Sequence, residues 1–298
     1  MKVRDVWDLV KQTFTEWSDD KASRLAAALA YYTIFSLAPL LVISIGIAGM
    51  VLGDDAVQGE IVTRLQGMIG LEGATFIQEM IAASRKPSQS VTATVIGIAV
   101  LLFGAAGVFG QLQDALNTIW EVKARPGRGW RGLLSDRFLS FMMVLGTGCL
   151  LLASVAFSAA FAAIGEYLSG LLPIPEFALH ALNFVVTLSL ITVLFALIFK
   201  IVPDARVAWR DVWIGAAITA LLFACGTLLI GLYLGKSGVT STFGAAASLA
   251  VLLVWIYYSA QILFLGAEFT QVYATRYGSR IVPARAAAPL EETSPESD

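Results

Sequence analysis

Long apolar stretches alternate with short polar segments along almost the whole chain. Six of these stretches contain an uninterrupted run without a charged residue, and each run exceeds the roughly 20 residues that a helix needs to cross a bilayer. They are rich in alanine, leucine and glycine over lengths that no strand reaches, and a helix satisfies its own backbone hydrogen bonds in hydrocarbon. The pattern predicts an all-α integral membrane protein with six transmembrane helices, at about 25–52, 90–113, 138–165, 177–200, 212–235 and 243–272.

The remaining segments complete the predicted organisation around a transmembrane domain at 24–275. Apolar positions within 1–23 recur at helical spacing on one face, which predicts an amphipathic interfacial helix that lies on lipid or against the bundle. The apolar pattern of residues 53–89 predicts an extracytoplasmic helical loop, which either caps a cavity or rests on the outer leaflet. The last segment, 276–298, has alanines followed by acidic residues. This composition predicts a disordered cytoplasmic tail.

Composition supports the membrane class. Of the 298 residues, 57% are hydrophobic and 14% are charged, and the mean hydropathy is +0.76. Soluble proteins carry about 25% charged residues, so lipid is the expected solvent for most of this surface. The net charge of −2 gives no indication of nucleic-acid binding. Membrane lipids are the predicted partners, and a homo-oligomer stays open.

The basic residues predict the orientation of the chain. If the N-terminus is inside, all but four of the 20 lysines and arginines fall in inner segments. The four in outer segments are Arg64, Arg85, Lys86 and Lys236. Because cytoplasmic loops are enriched in lysine and arginine, this bias places both termini in the cytoplasm.

The sequence offers few groups for enzymatic chemistry. It has one histidine, and its two cysteines both fall within predicted spans. Motifs for zinc proteases, phosphate-binding loops and serine hydrolases do not occur. We therefore predict no enzymatic activity, no catalytic residues, no cofactor and no metal.

Polar side chains inside predicted helices are the main functional candidates, because they are costly in hydrocarbon unless they face protein or water. Tyr257, Gln261, Glu268 and Gln271 follow one another at steps of four, seven and three residues, which keeps them on one broad face of the sixth helix. Glu268 either titrates, binds a cation or a substrate amine, or pairs with an arginine of an inner loop.

The first helix supplies a second set of candidates. Tyr32, Ser36 and Pro39 share a face, and proline removes a backbone donor and can kink a helix. This face either lines a cavity or makes an ordinary interhelical contact. Together the two helices define a candidate intramembrane polar path.

Arginines of the inner loops are candidates for binding anionic head groups. They are Arg125, Arg128, Arg137, Arg206 and Arg210. The topology alone also explains basic residues at these positions.

Four stretches resemble a known family. They are AAALAYYTIFSLAPLL at 26–41, IWEVKARPGRGWRG at 119–132, VPDARVAWRDVWIGA at 202–216, and the long segment at 232–274 that contains LFLGAEFTQVYA. The chain resembles the YihY/BrkB family of bacterial inner-membrane proteins over roughly residues 1–280. The resemblance implies a six-helix membrane protein and does not imply a settled activity.

Three functions follow from these observations. The first is a transporter or flippase for an amphipathic or anionic envelope-related solute, whose identity the sequence does not give. The alternative is a non-transporting membrane scaffold in envelope assembly or serum resistance. The third is ribonuclease activity, a label that the family has carried. We rank it last, because RNA hydrolysis needs an acid–base pair or a metal-activated water and no suitable cluster lies outside the spans.

Overall fold

The computed structural model describes residues 3–52, 58–59, 62–63, 66, 73–79, 81–82, 107–124, 176–236, 245–279, 281–283 and 287–289. Its helices are α1 (Val3–Asp19), α2 (Ala22–Leu52), α3 (107–119), α4 (Glu176–Ile201), α5 (Trp209–Lys236) and α6 (Ala245–Arg276). Its strands are β1 (Val122–Ala124), β2 (Ala205–Arg206), β3 (Val282–Pro283) and β4 (Ala287–Pro289).

Three of these helices are long and apolar enough to cross a membrane. They are Ala181–Ile201 in α4, Trp209–Ile230 in α5 and Leu249–Arg276 in α6. In addition, α2 forms one continuous helix over the first predicted span and continues past Pro39. The predicted span at 138–165 and most of the one at 90–113 lie outside the described residues. The helical class is therefore confirmed, while the count of six and the cytoplasmic termini stay predictions.

Helix α6 lies at the centre of the described bundle. It packs against α1, α2 and α5, and α4 packs on the far side of α5. The buried share of the spanning window rises accordingly from 17% in α4 to 33% in α5 and 44% in α6. The exposed sides of α4 and α5 carry large apolar side chains, which suits contact with lipid rather than water.

Helices α5 and α6 approach each other through reciprocal pairs of glycine and threonine. A Cβ atom on Gly215 would lie 1.8 Å from Thr270 Oγ1, and one on Gly266 would lie 2.0 Å from Thr219 Oγ1. Each threonine hydroxyl donates to the glycine carbonyl one turn earlier in its own helix, at 2.7 Å for Thr219 and 2.6 Å for Thr270. Small residues thus let the two backbones come close while the hydroxyls keep partners.

Helix α1 has one face on the bundle and an apolar face that is exposed. Leu9 and Thr13 are buried, and the contacts of α1 are with α6 and α2. The exposed apolar side chains on the other face are Val6, Trp7, Val10 and Phe14. The segment is helical over Val3–Asp19 and packing on the bundle accounts for only one of its faces, while its position at the membrane interface stays a prediction.

The helical residues 73–79 and 81–82, within the predicted extracytoplasmic loop, pack on the bundle. Ile77 and Ile81 are buried in a small cluster with Ile34 of α2 and Leu252 of α6. Tyr257 contacts both this cluster and the main core. This helical piece therefore contacts α2 and α6. Whether the whole predicted loop caps a cavity or rests on the outer leaflet stays open, as it does from the sequence.

Two short antiparallel sheets tie the C-terminal segment to the rest of the chain. Strand β3 pairs with β2, with Val282 opposite Arg206, and β4 pairs with β1, with Pro289 opposite Val122. The predicted disorder of 276–298 does not hold for these residues. Both segments contain an X-Pro step, and proline favours extended backbone for itself and its predecessor, which suits strand pairing at an edge.

Candidate functional site

The sixth predicted span places its polar residues along the most buried helix. Tyr257 and Gln261 are half-buried, and Gln261 Nε2 donates a hydrogen bond to Tyr257 Oη at 2.6 Å. The other polar atom of this amide, Gln261 Oε1, is buried and has no hydrogen-bond partner in the described part of the chain. One turn of α6 thus carries a satisfied donor beside an unsatisfied acceptor.

Glu268 is the acidic residue of this row. Its side chain is 1% exposed, and neither carboxyl oxygen has a hydrogen-bond partner among the described residues. No described arginine forms an ion pair with it, and the inner-loop arginines Arg125, Arg128 and Arg137 lie outside the described residues, so pairing with an inner-loop arginine stays an open alternative. Further along α6, Gln271 is 8% exposed and its Nε2 donates to Glu121 Oε1 at 3.5 Å.

Acidic groups from three elements converge near Glu268. Asp20, in the short turn between α1 and α2, faces the Glu268 carboxyl. Burial of Asp20, and then the negative charges of Glu121, Glu16 and Asp19, raise its pKa from 3.8 to about 6, while the interaction with Glu268 lowers it. The backbone shape helps to build this region, because Lys21 and Glu121 both adopt the left-handed conformation, each with φ 53°.

The candidates on α2 lie in different surroundings. Tyr32 is exposed and lies against α3, where a Cβ on Gly107 would be 2.9 Å from Tyr32 Cδ1. Ser36 is fully buried, and its hydroxyl donates to the Thr33 carbonyl at 3.1 Å, so it is satisfied within its own helix. Pro39 lies inside α2. The contacts described for Tyr32 and Ser36 thus point to α3 and to α2 itself, whereas the four α6 residues lie along one face of a single helix.

Two of the five candidate basic residues lie within the described part of the chain. Arg206, in β2, and Arg210, at the start of α5, are both exposed. The neighbouring tryptophans Trp209 and Trp213 are also exposed, and their rings lie 6.4 Å apart. The other three candidates, Arg125, Arg128 and Arg137, lie outside the described residues.

A polar network that sequence interpretation missed holds the loop between α4 and α5. Asn117, buried on α3, donates from Nδ2 to Asp204 Oδ2 at 3.2 Å and accepts from the Asp204 amide at 2.7 Å. Gln113 Nε2 also donates to Asp204 Oδ2, at 3.3 Å. Asp204 was visible in the sequence only as one charge of an inner loop, and nothing indicated a partner 87 residues away.

A second missed contact fixes the end of α6. Asp211 is 3% exposed in the first turn of α5, and its Oδ2 accepts hydrogen bonds from the amide and hydroxyl of Ser279, at 2.9 and 2.8 Å. A Cβ on the intervening Gly278 would lie 2.4 Å from the same oxygen. Ser279, three residues after the end of α6, is therefore held against the beginning of α5.

Unsatisfied buried polar atoms of the described side chains concentrate around α1, α6 and the end of α3. Besides the Gln261 and Glu268 oxygens they comprise Gln12 Oε1, Trp17 Nε1 and Trp120 Nε1. Buried polar atoms usually have partners, so these atoms are candidates for hydrogen bonds to a solute, water or proton. Within the same residues no three histidine, cysteine or acidic side chains are placed to hold a metal ion.

Comparison with known proteins gives one family. A family model described as Virulence factor BrkB matches residues 13–291. A UPF0761 membrane protein of Verminephrobacter eiseniae (strain EF01-2) is 30% identical over 274 residues, which cover 89% of this chain and 62% of the relative. A UPF0761 membrane protein of Pseudomonas aeruginosa (strain LESB58) is 28% identical over 253 residues, covering 83% and 58%.

A third relative has the same description. The UPF0761 membrane protein of Teredinibacter turnerae (strain ATCC 39867 / T7901) is 28% identical over 285 residues, covering 91% of this chain and 61% of the relative. The chain thus spans between 58% and 62% of the length of these three proteins. No solved structure matches the chain significantly.

Proposed function

This chain belongs to the virulence factor BrkB family of membrane proteins, and from that premise we propose that it is a transporter or flippase without enzymatic activity. Its solute is amphipathic or anionic and related to the cell envelope, and it crosses the bacterial inner membrane. The predicted topology, with six helices and cytoplasmic termini, belongs to the same proposal.

The observation that carries this proposal is the polar row of α6. Gln261 Oε1 and both oxygens of Glu268 are buried without hydrogen-bond partners among the described residues, in a helix apolar enough to span a membrane. A buried polar atom without a partner costs about 1–3 kcal/mol, so three such atoms in one helix favour a functional role. Polar and ionisable groups at membrane depth mark pathways for ions and solutes.

Two surfaces support an amphipathic or anionic solute. Arg206 and Arg210 are exposed beside Trp209, an arrangement suited to anionic head groups at a membrane interface. The exposed apolar face of α1, which includes Trp7 and Phe14, suits insertion among lipid chains. We place α1 at the lipid–water interface on this basis.

Reconstituted protein offers the direct test. Proteoliposomes that contain fluorescent phosphatidylglycerol should expose the label to a membrane-impermeant quencher faster than protein-free liposomes. Gln261→Leu and Arg206→Ala should slow this movement. Ser189→Ala serves as the control, because it removes a polar group from the exposed side of α4 and leaves the α6 row intact.

Two results would contradict the proposal at different levels. Wild-type rates in both variants would remove the site from the proposed pathway. If neither labelled phosphatidylglycerol nor a panel of soluble amphipathic anions moved faster than in protein-free liposomes, the transport function itself would be contradicted.

The scaffold alternative also has a specific observation in its favour. The glycine–threonine contacts between α5 and α6 leave no room for a Cβ, and such close packing suits a rigid interaction platform. A stable partner that copurifies with the protein, combined with no movement of any probe, would favour the scaffold over the transporter.

A further inference from the structure

The junction of α1, α2 and α6 brings together carboxyl groups that are far apart in sequence. Asp20 follows α1, Glu268 lies in the C-terminal half of α6, and the two carboxyl groups face each other. Among the described residues, the other charged groups that act on Asp20 are Glu16 and Asp19 from α1 and Glu121 from the turn after α3. All of them are acidic, so the described part of this junction concentrates negative charge.

Burial makes an ionised carboxylate at Glu268 energetically unfavourable. The side chain is 1% exposed, and within the described part of the chain both oxygens lack hydrogen-bond partners and no lysine or arginine forms an ion pair with it. Removing a carboxylate from water costs several kcal/mol unless a cation or several donors compensate. Two carboxylates that share such a site cannot both stay ionised, and in proteins such pairs hold a proton between them.

A proton fits this geometry better than a metal ion. Metal sites built from carboxylates need several converging oxygen ligands, and Ca²⁺ takes six to eight. Among the described residues no group of three acidic, histidine or cysteine side chains is placed for this. A proton needs only one donor oxygen and one acceptor oxygen, which the facing pair supplies.

We propose that Asp20 and Glu268 form a proton-binding site, in which the two carboxyl groups share one proton at neutral pH. In this state Glu268 is the donor and the Asp20 carboxylate is the acceptor, so the buried group is neutral and the charge lies on the residue nearer to solvent. A second proton binds at lower pH, since burial and the surrounding acidic residues raise the pKa of Asp20 to about 6.

The site joins a surface helix to the central helix of the bundle. Protonation of Asp20 changes the charge of the short turn that joins α1 to α2. This turn faces Glu268, which belongs to the polar row of α6. This site therefore supplies the coupling ion for the proposed transporter, a step that rests on the transport function proposed above. The proton-binding site itself does not depend on that function.

Infrared spectroscopy of the purified full chain tests the site directly. At about pH 8, where ordinary carboxyl groups are ionised, the wild-type protein should show the C=O stretch of one protonated carboxyl group. This band should be absent from Glu268→Gln and present in Glu79→Gln, a control in which an exposed glutamate receives the same substitution. In Asp20→Asn the band should persist at a shifted frequency, because its hydrogen-bond acceptor changes.

A titration adds a second criterion. On lowering the pH, a further protonated-carboxyl band should grow with a midpoint near 6 in the wild type and in Asp8→Asn, but not in Asp20→Asn. Asp8 is an exposed aspartate of α1 and serves as the control. Absence of the band at about pH 8, its survival in Glu268→Gln, or an unshifted band in Asp20→Asn would overturn the shared-proton site.

The transport assay separates this inference from the function on which its last step rests. If movement of labelled phosphatidylglycerol depends on a pH gradient in the wild type and loses this dependence in Glu268→Gln, the coupling role is supported. Gradient-independent movement with the infrared bands intact would overturn the coupling role alone. Absence of any movement would contradict the transport function and leave the proton site standing.

Discussion

Substituting Gly266 with alanine should force helices α5 and α6 apart. The new Cβ would lie 2.0 Å from Thr219 Oγ1, 2.7 Å from its Cγ2 and 2.8 Å from its Cβ. Rotation about the Thr219 side chain can move the first two atoms but not the Cβ. Since ordinary contact begins at 3.4 Å, α5 and α6 must move apart by at least the difference from 2.8 Å, about 0.6 Å.

The energetic cost follows from three contributions. Overpacking of a well-packed interior costs about 1–3 kcal/mol. Rotation of Thr219 would also break its hydrogen bond to the Gly215 carbonyl, worth about 1 kcal/mol. Alanine in place of glycine gains about 1 kcal/mol of helix propensity. We therefore expect Gly266→Ala to lower the free energy of unfolding by about 1–3 kcal/mol.

Unfolding in mixed micelles of mild detergent and SDS, followed by circular dichroism, measures this change. Gly110→Ala is the matched control, because the added Cβ on α3 meets no atom within 4 Å and should leave stability unchanged or slightly higher. The double variant Gly266→Ala/Thr219→Ala should lose less stability than the sum of its single variants, since removing Thr219 Oγ1 and Cγ2 makes room.

Two results would contradict the close contact between α5 and α6. If Gly266→Ala is as stable as Gly110→Ala, the close approach of α5 and α6 does not exist in solution. Strict additivity in the double variant would show that the destabilisation has another origin than contact with Thr219.

Three further predictions concern polar groups. Asp211→Ala should lower the free energy of unfolding by about 1–2 kcal/mol and expose the chain near Ser279 to protease, because both hydrogen bonds to its carboxylate are lost; unchanged protection would contradict this. Asn117→Ala should cost about 1–3 kcal/mol in the same unfolding assay by leaving the Asp204 amide without its acceptor, and an unchanged midpoint would refute it. The folded protein raises the pKa of Asp20 from 3.8 to about 6. The free energy of unfolding should therefore increase as the pH falls from about 6 towards 4, and this gain should be lost as the pH rises through 6. In Asp20→Asn that part of the pH dependence should vanish.

The sequence interpretation succeeded where a property is summed over many neighbouring residues. Spans predicted at 25–52, 177–200, 212–235 and 243–272 coincide with helices α2, α4, α5 and α6 within a few residues. The family resemblance, quoted from four stretches, is confirmed by a match over residues 13–291. Transfer of a helix into lipid depends on the total hydropathy of about 20 consecutive residues, so single misjudged positions do not matter.

Interpretation of individual side chains was less complete. The row Tyr257, Gln261, Glu268 and Gln271 was visible because helical periodicity places residues of one helix relative to one another. The G-x-x-x-T pairs at 215–219 and 266–270 were also visible in the sequence as small residues one turn apart, but many such pairs occur in spans rich in alanine and glycine. Only the packing of α5 on α6 distinguishes these pairs from the rest.

The sequence by itself determined that this chain is a helical membrane protein, which polar residues share one face of α6, and which family it resembles. The tertiary structure alone decided what the described polar groups meet: acidic residues near Glu268, Asn117 beside Asp204, and Ser279 on Asp211. Hydropathy and periodicity are properties of adjacent residues. Asp20 and Glu268, by contrast, are 248 positions apart and meet only because α1 and α2 pack on α6.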